Sequence, residues 1–371
     1  MDSAQLLALA GALRGKTVAV IGDVVADEFV YGRVARVSRE APVLILEYDS
    51  TEILPGGAGN AANNVAALGG GAALAAVVGR DEPGERLLRA LHRRVDRRRV
   101  VRAARPTPVK TRILAGGIHS AKQQVVRIDR GVANGFDDRA RAAFERQAVA
   151  ACTGADAVLV SDYGSGLVTP ALVRHLRVAL DADGPVPVLV DSRHRLLDYR
   201  GLTACTPNES EVEQALGIRI NDNPKMLERA GRDLLERTKM QAVLITRGSR
   251  GMALFVKNAP TLHIPIYGSD EIADVTGAGD TVMATMALAL AAGASFEAAA
   301  RLANYAGGLV VMKRGTATVS SAELVAAIRA DAEVRGADRA DKRRGRSSDP
   351  ADRGTNQRRG RSLDRPERRR G

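Results

Sequence analysis

A chain of 371 residues has the length for one large α/β domain or two smaller ones, and 45% hydrophobic residues mark it as globular. Aromatic residues make up only 3% and Trp is missing, so Val, Leu, Ile and Ala must build the core. The net charge of +12 is uneven: residues 333–371 hold 14 Lys+Arg against 7 Asp+Glu, with Val334 and Leu363 as their large apolar side chains. A nucleic-acid reading therefore rests on a basic tail expected to be disordered, whose contact with nucleic acid, anionic lipid or solvent alone stays open.

Cys152 and Cys205 show no metal or redox spacing, and the five His residues form no ligand pattern. The expectation is a reduced, cytoplasmic protein. Asp2 stands where a signal peptide would be basic, and no run approaches about 20 apolar residues, so neither export signal nor membrane span is expected.

In chain order, Lys16–Ile21 is a short apolar run ending at Gly22-Asp23, as a buried strand of a parallel sheet would. Asp23 and Asp27 follow just past the strand's carboxyl end, where open α/β sheets bind ligands. They suit sugar hydroxyls or, alternatively, a solvated loop. Phe29–Val37 and Val43–Tyr48 alternate imperfectly, as partly exposed strands do. Leu54-Pro-Gly-Gly-Ala-Gly-Asn60 is a glycine-rich turn entering a helix with Ala61, Val65 and Leu68 on one face, and it lets Asn60 or Asn64 face a polar ligand.

Ala72–Val78 is a further strand, and Arg86–Arg94 a basic helix. Val109–Ile113 and Gln124–Asp129, joined by a Gly-containing loop, alternate as half-buried strands. With Phe29–Tyr48 they predict a small sheet projecting over a site. From Arg139 strand and helix alternate with short turns: helix to Ala151, strand Ala157–Val160, helix Pro170–Leu180, strand Val186–Val190. Then come Cys205–Glu211 with one helix, and strands Ala242–Thr246 and Met252–Val256. Helices at Thr281–Ala292, Glu297–Met312 and Ala322–Ala332 finish the fold. That rhythm means a mostly parallel sheet covered on both faces.

The stretch Ala273-Asp-Val-Thr-Gly-Ala-Gly-Asp280 bares N–H groups before a long apolar helix, and the exposed amides and helix dipole favour an anion there, phosphate above all. Asp280 reads equally as a helix cap and as a base beside a transferable phosphate. Neither a Walker A loop nor a G-x-G-x-x-G fingerprint occurs.

Together the two glycine-rich turns, with Asn208-Glu-Ser-Glu211 and Thr246-Arg-Gly-Ser-Arg-Gly251, resemble the signatures of the PfkB (ribokinase-like) carbohydrate kinases over roughly Lys16 to Val319. Gly22–Asp27, Arg36–Val43, Gln123–Asp129, Ser161–Gly164 and Thr206–Asn208 resemble the D-glycero-β-D-manno-heptose-7-phosphate kinases within that family. Arg39, Gly59 and Val275 depart from the usual residues, and these departures sit near the substrate, so they bear on the exact sugar more than on the chemistry. The resemblance implies a doubly wound ribokinase-like α/β domain over 1–332, with lid strands within about 28–49 and 109–129, and a disordered tail over 333–371. It implies ATP-dependent phosphorylation of an anomeric hydroxyl, giving a heptose 1,7-bisphosphate on the way to ADP-heptose.

By the same resemblance Asp280 is the base, and Gly277, Ala278 and Gly279 supply the anion hole. Asn208, Glu209, Ser210 and Glu211 meet ATP, with Asn208 and Glu211 holding Mg²⁺ through water. Thr246, Gly248 and Gly251 line the nucleotide loop, Asn304 lies near the adenine, and Asp274 and Thr276, with Gly315-Thr316, form a candidate K⁺ site. Asp23, Asp27, Gly56, Gly57 and Asn60 are assigned to the sugar. A phosphorylated substrate calls for cations, and Arg36, Lys110, Arg112 and Arg127 are in the lid segments. Paired lids would make a homodimer. The nucleotidyltransferase domain of some relatives is missing after Val319 and the last helix, so another protein would supply any nucleotidyl step. Other kinases of the family (for ribose, a fructose phosphate or a nucleoside), a nucleic-acid-binding protein and an inactive scaffold are the competing readings.

Overall fold

Alternate residues of the first core strand point to opposite sides, and that alternation sets the layers. In the computed structural model, which describes residues 2–116, 122–131, 135–180, 185–268 and 274–345, Val18 and Val20 face one apolar core while Ala19 and Ile21 face another. The elements run α1 (Ser3–Ala12), β1 (Thr17–Gly22), β2 (Val24–Val37), β3 (Leu44–Gly57), α2 (Ala58–Ala67), β4 (Gly71–Gly79), α3 (Glu82–Arg89), β5 (Val95–Asp96) and β6 (Val100–Ala103). Next are β7 (Val109–Gly116), β8 (Gln123–Arg130), α4 (Asp138–Cys152), β9 (Ala157–Asp162), α5 (Pro170–Leu180), β10 (Val188–Ser192), β11 (Ala204–Cys205), α6 (Glu209–Leu216) and α7 (Pro224–Thr238). The chain closes with β12 (Ala242–Thr246), β13 (Met252–Val256), β14 (Leu262–Ile264), α8 (Ala278–Ala291), α9 (Phe296–Val311) and α10 (Ser321–Gly345).

The main sheet has the order β14-β13-β12-β11-β10-β9-β1-β4-β5, with β6 also on β4. Its strand pairings are parallel except for β12–β13 and β13–β14, which are antiparallel pairings at one edge. Helices α1, α2, α8 and α9 cover one face, and α4, α5 and α7 the other. This is the doubly wound α/β sheet expected from the alternating pattern. Helix α8, with Asp280 to Ala289 buried in succession, is apolar nearly all round because it lies between the sheet and α9.

A second sheet, ordered β3-β2-β7-β8, is the lid. Two of its strands reach closer to the main sheet than expected, because β2 and β3 pair from Val24↔Gly57 outward. Leu54–Gly57 is therefore strand, where the sequence suggested a turn. Gly56 permits that pairing: a Cβ there would lie 2.3 Å from the Asp27 carboxylate. Strand β8 is exposed along its whole length.

Other differences are local. Helix α3 begins at Glu82 behind an Asp81 cap, earlier than expected, and β14 and a separate helix α7 were not foreseen. Residues 1–329 form one compact unit. Beyond it α10 stays helical to Gly345 where the sequence suggested an end at Ala332, in keeping with the Ala, Arg and Glu content of that stretch. The rest of the expected tail (346–371), the β7–β8 loop at 117–121 and Ala273 lie outside the described residues. No helix among the described residues is long and apolar enough to cross a membrane.

Candidate active site

A cavity of about 460 Å³ opens where the parallel strands β9 to β12 end, below the lid. This is the carboxyl edge, at which open α/β sheets gather ligand-binding residues. Asp280 lies in the first turn of α8, behind Gly277, which caps the helix in a left-handed conformation at φ 79° without any side-chain cap. A Cβ at Gly277 would meet Asn60 Nδ2 at 2.4 Å, so glycine is demanded both by conformation and by space. Helix starts leave N–H groups unpaired, and here the Ala278 amide returns to Val275 O at 3.2 Å.

The Asp280 carboxylate is held from both sides. Asn60 Nδ2 donates to one oxygen at 2.9 Å and Tyr163 Oη to the other at 3.1 Å. Burial pushes the carboxyl up to about 6, against the opposing pull of those two hydrogen bonds. Asn60 is itself fixed by a bond from Asn64 Nδ2 to its Oδ1 at 3.1 Å, and Asn64 Oδ1 in turn accepts from Val319 N. A group titrating near neutrality, rigidly aimed at the mouth of a helix N-terminus, is suited to take a proton from a hydroxyl beside an anion.

The lid and the loop between α9 and α10 meet through Asp27. Arg112 Nη1 donates to it at 2.5 Å and Thr316 Oγ1 at 3.2 Å, all largely out of water. Nearby, Lys110 Nζ and Arg193 Cζ lie 5.2 and 4.6 Å from the Tyr163 ring centroid. Burial, with Arg193 beside it, pulls the Lys110 ammonium below its ordinary value.

On the opposite side Asn208 caps α6. Its side chain accepts from Glu211 N, and the Glu211 carboxylate accepts from Asn208 N, both at 2.9 Å. Glu211 and Asp191 both line the cavity. Burial raises both carboxyls, and their mutual repulsion adds to the effect at Asp191. Thr246, Gly248, Gly251 and Asn304 complete that wall, with Asn304 Nδ2 donating to Pro265 O at 2.9 Å.

Residues 16–323 match the pfkB family carbohydrate kinases. The chain belongs to that family. This kinase is 45% identical over 331 residues to a bifunctional protein HldE of Caulobacter vibrioides, covering 88% of the chain and 66% of the relative. Its identity to the protein of the same name from Geobacter sulfurreducens is 42%, covering 87% and 64%. The chain thus spans just under two thirds of the length of these relatives. Its fold is that of phosphofructokinase-2 from Escherichia coli solved with potassium (TM-score 0.66, 18% identity, 85% of this chain and 98% of that one). Ribokinase from Arabidopsis thaliana solved with ribose and ATP gives a TM-score of 0.61 at 20% identity, with 85% and 99% covered. The kinase is therefore a phosphotransferase acting on a sugar alcohol group, on a ribokinase-like fold.

Within the kinase, the structure brings Asp280, Gly277, Ala278, Gly279, Asp27, Gly57, Lys110, Arg112, Arg127, Asn208, Glu211, Thr246, Thr276, Gly248, Gly251 and Asn304 to one cavity. Other expected residues stand apart from it. Arg36 is exposed on the outer half of β2, and Asn60 serves Asp280 from behind. Glu209 is taken up by Arg247 at 2.8 Å and by Arg250, and Ser210 does not line the cavity. Asp23 accepts from Tyr163 N at 2.9 Å and from the Ser165 hydroxyl, and so organises the Tyr163 loop. Asp274 accepts from Thr276 N at 2.9 Å and Gly315 N at 3.0 Å. The sequence reading missed Tyr163, Asp191 and Arg193, although each follows or ends a parallel strand, which was the available signal.

Proposed function

We propose that the chain transfers the γ-phosphoryl group of ATP to the anomeric hydroxyl of D-glycero-β-D-manno-heptose 7-phosphate, giving the 1,7-bisphosphate and ADP. The observation that carries this reading is one cavity joining a buried, doubly held Asp280 at a helix N-terminus without a side-chain cap to the lid residues Lys110 and Arg127. The likeness of sequence to the heptose kinases supplies the sugar.

Asp280 takes the proton of the sugar hydroxyl as its oxygen bonds to phosphorus, and the bond from phosphorus to the ADP oxygen breaks. The α8 N-terminus stabilises charge on the transferring group. Such a base contributes about 10²- to 10⁴-fold. Its ionised form is the active one, so activity falls as pH drops through about 6.

Mg²⁺ would be held by Asn208 and Glu211, with Asp191 opposite. Two carboxylates crowded together out of water, both raised in pKa, are what a divalent cation relieves, and Mg²⁺ keeps several waters in such seats. Bound there, it supplies neutralisation of phosphate charge. Among the described residues no group of three or more His, Cys, Asp or Glu is placed to hold a metal. For a monovalent cation such as K⁺, Asp274 and Thr276 are the first seats, since each Asp274 oxygen accepts one backbone N–H and keeps a further lone pair. Lid surfaces with Val37, Leu44 and Tyr48 exposed support pairing of two lids in a homodimer, which light scattering tests.

The test of function is ADP release with Mg²⁺ and ATP across heptose 7-phosphate, fructose 6-phosphate, fructose 1-phosphate, ribose and a nucleoside. Turnover confined to heptose 7-phosphate is expected. Preference for another sugar would keep the kinase and discard the heptose.

A further inference from the structure

Two neighbouring parallel strands, β11 and β12, each send a segment to one wall of the cavity. Asn208 and Glu211 follow the first, and Thr246, Gly248 and Gly251 end or follow the second. At their base the segments run side by side: Asn208 pairs with Thr246, and Thr246 N donates to Pro207 O at 2.9 Å. Farther out, the turn 247–251 closes on itself, with Arg247 N donating to Gly251 O at 2.9 Å and Gly251 N to Gly248 O at 3.1 Å. One side of this turn is pressed on β14, since a Cβ at Gly251 would lie 2.1 Å from Ile264 O. Glu209, in the first turn of α6, takes the other side. One of its carboxylate oxygens accepts from Arg247 Nε at 2.8 Å and the other from Arg250 Nη2. The Glu209 and Arg247 side chains are only 15% and 14% exposed, so this is no loose surface pair. Neither they nor Arg250 line the cavity, and the grip is from outside it.

Resting on the reading of this wall as the ATP site, we propose that Glu209 is a positioning residue for the nucleotide: it clamps the turn 247–251 to the start of α6. The clamp fixes the separation between Thr246, Gly248 and Gly251, which meet the nucleotide, and Asn208 and Glu211, which hold its metal. Glu209 and Glu211 divide the work by facing different ways. Glu211 is tied to Asn208 and lines the cavity, whereas Glu209 is turned to the two arginines. Without the Glu209 charge, Arg247 would stay ionised and largely out of water with no carboxylate beside it. A surface turn tied to α6 only at its base can lift and hydrate that arginine at less cost than the domain can unfold. ATP must then close the turn before it binds, and its apparent affinity falls by the fraction of molecules already closed. Asp280 and the lid lie outside this linkage, so the sugar and the chemical step are spared.

The test measures Mg²⁺-dependent binding of the ATP analogue adenylyl imidodiphosphate without sugar, then steady-state kinetics with ATP and heptose 7-phosphate. Wild type, Glu209→Gln, Arg247→Gln and the double variant are compared. In E209Q analogue binding should weaken and the KM for ATP rise, each about fivefold to tenfold. The KM for the sugar and kcat at saturating ATP should stay within about twofold, and the denaturant midpoint should hold. R247Q leaves Arg250 in place and should lose less. The double variant should lose no more than E209Q, because both changes cut one link. Should E209Q fail to fold, R247Q decides by the same split between the two KM values. Failure of the wild type to bind the analogue would sink the ATP reading itself. Equal analogue binding by wild type and the variants, or KM values for ATP and sugar rising together with a loss of stability, would sink the clamp alone.

Discussion

Two helices begin at the rim of the same cavity, and they treat their first N–H groups in opposite ways. Helix α6 closes on itself: Asn208 and Glu211 exchange hydrogen bonds, so the chain supplies its own acceptor. Helix α8 starts from a left-handed glycine with no side-chain cap, and its one acidic first-turn residue is turned to Asn60 and Tyr163. A helix start that gives up a stabilising cap and keeps a buried carboxylate near pH 6 is arranged for a visiting anion and a proton. The closed start instead offers carboxylates, and thus a seat for a cation.

The largest expected effect is at the open start. Asp280→Asn removes the proton acceptor but keeps shape, and kcat should fall by about 10³-fold or more, read by ADP release. Gly277→Ala comes next. Its Cβ would push Asn60 from Asp280 and impose left-handed strain, so kcat should fall about 10- to 100-fold with a stability loss of about 1–2 kcal/mol in denaturant unfolding. At the closed start the effects separate. Glu211→Gln preserves the reciprocal cap, so stability should hold while the Mg²⁺ concentration for half activity rises about tenfold. Asn208→Ala should cost about 1 kcal/mol through the lost cap. Equal behaviour of the two helix starts would break the contrast between them.

Much of this contrast was legible before any coordinates. The Gly277–Asp280 turn, the Asn208–Glu211 spacing and the strand–helix rhythm are local patterns, and local patterns survive into the fold. The roles of Asn60 and Asp23 were not legible, because they depend on which buried groups face them across more than a hundred residues. Leu54–Gly57 looked like a turn because glycines signal turns, yet the glycine there lets a strand pass over Asp27. Arg36 was drawn in by its charge and its lid segment, but it sits on the exposed half of β2.

The central claim is that Asp280, held near pH 6 by burial, is the base. The pH dependence of kcat/KM for heptose 7-phosphate, from pH 4.5 to 8, tests it most directly. The sugar phosphate ionises in the same range, so wild type and D280N are compared point by point. The account predicts that the wild-type profile falls below about pH 6 more steeply than that of D280N, by a further factor approaching ten per unit. Parallel profiles for the two proteins would contradict it.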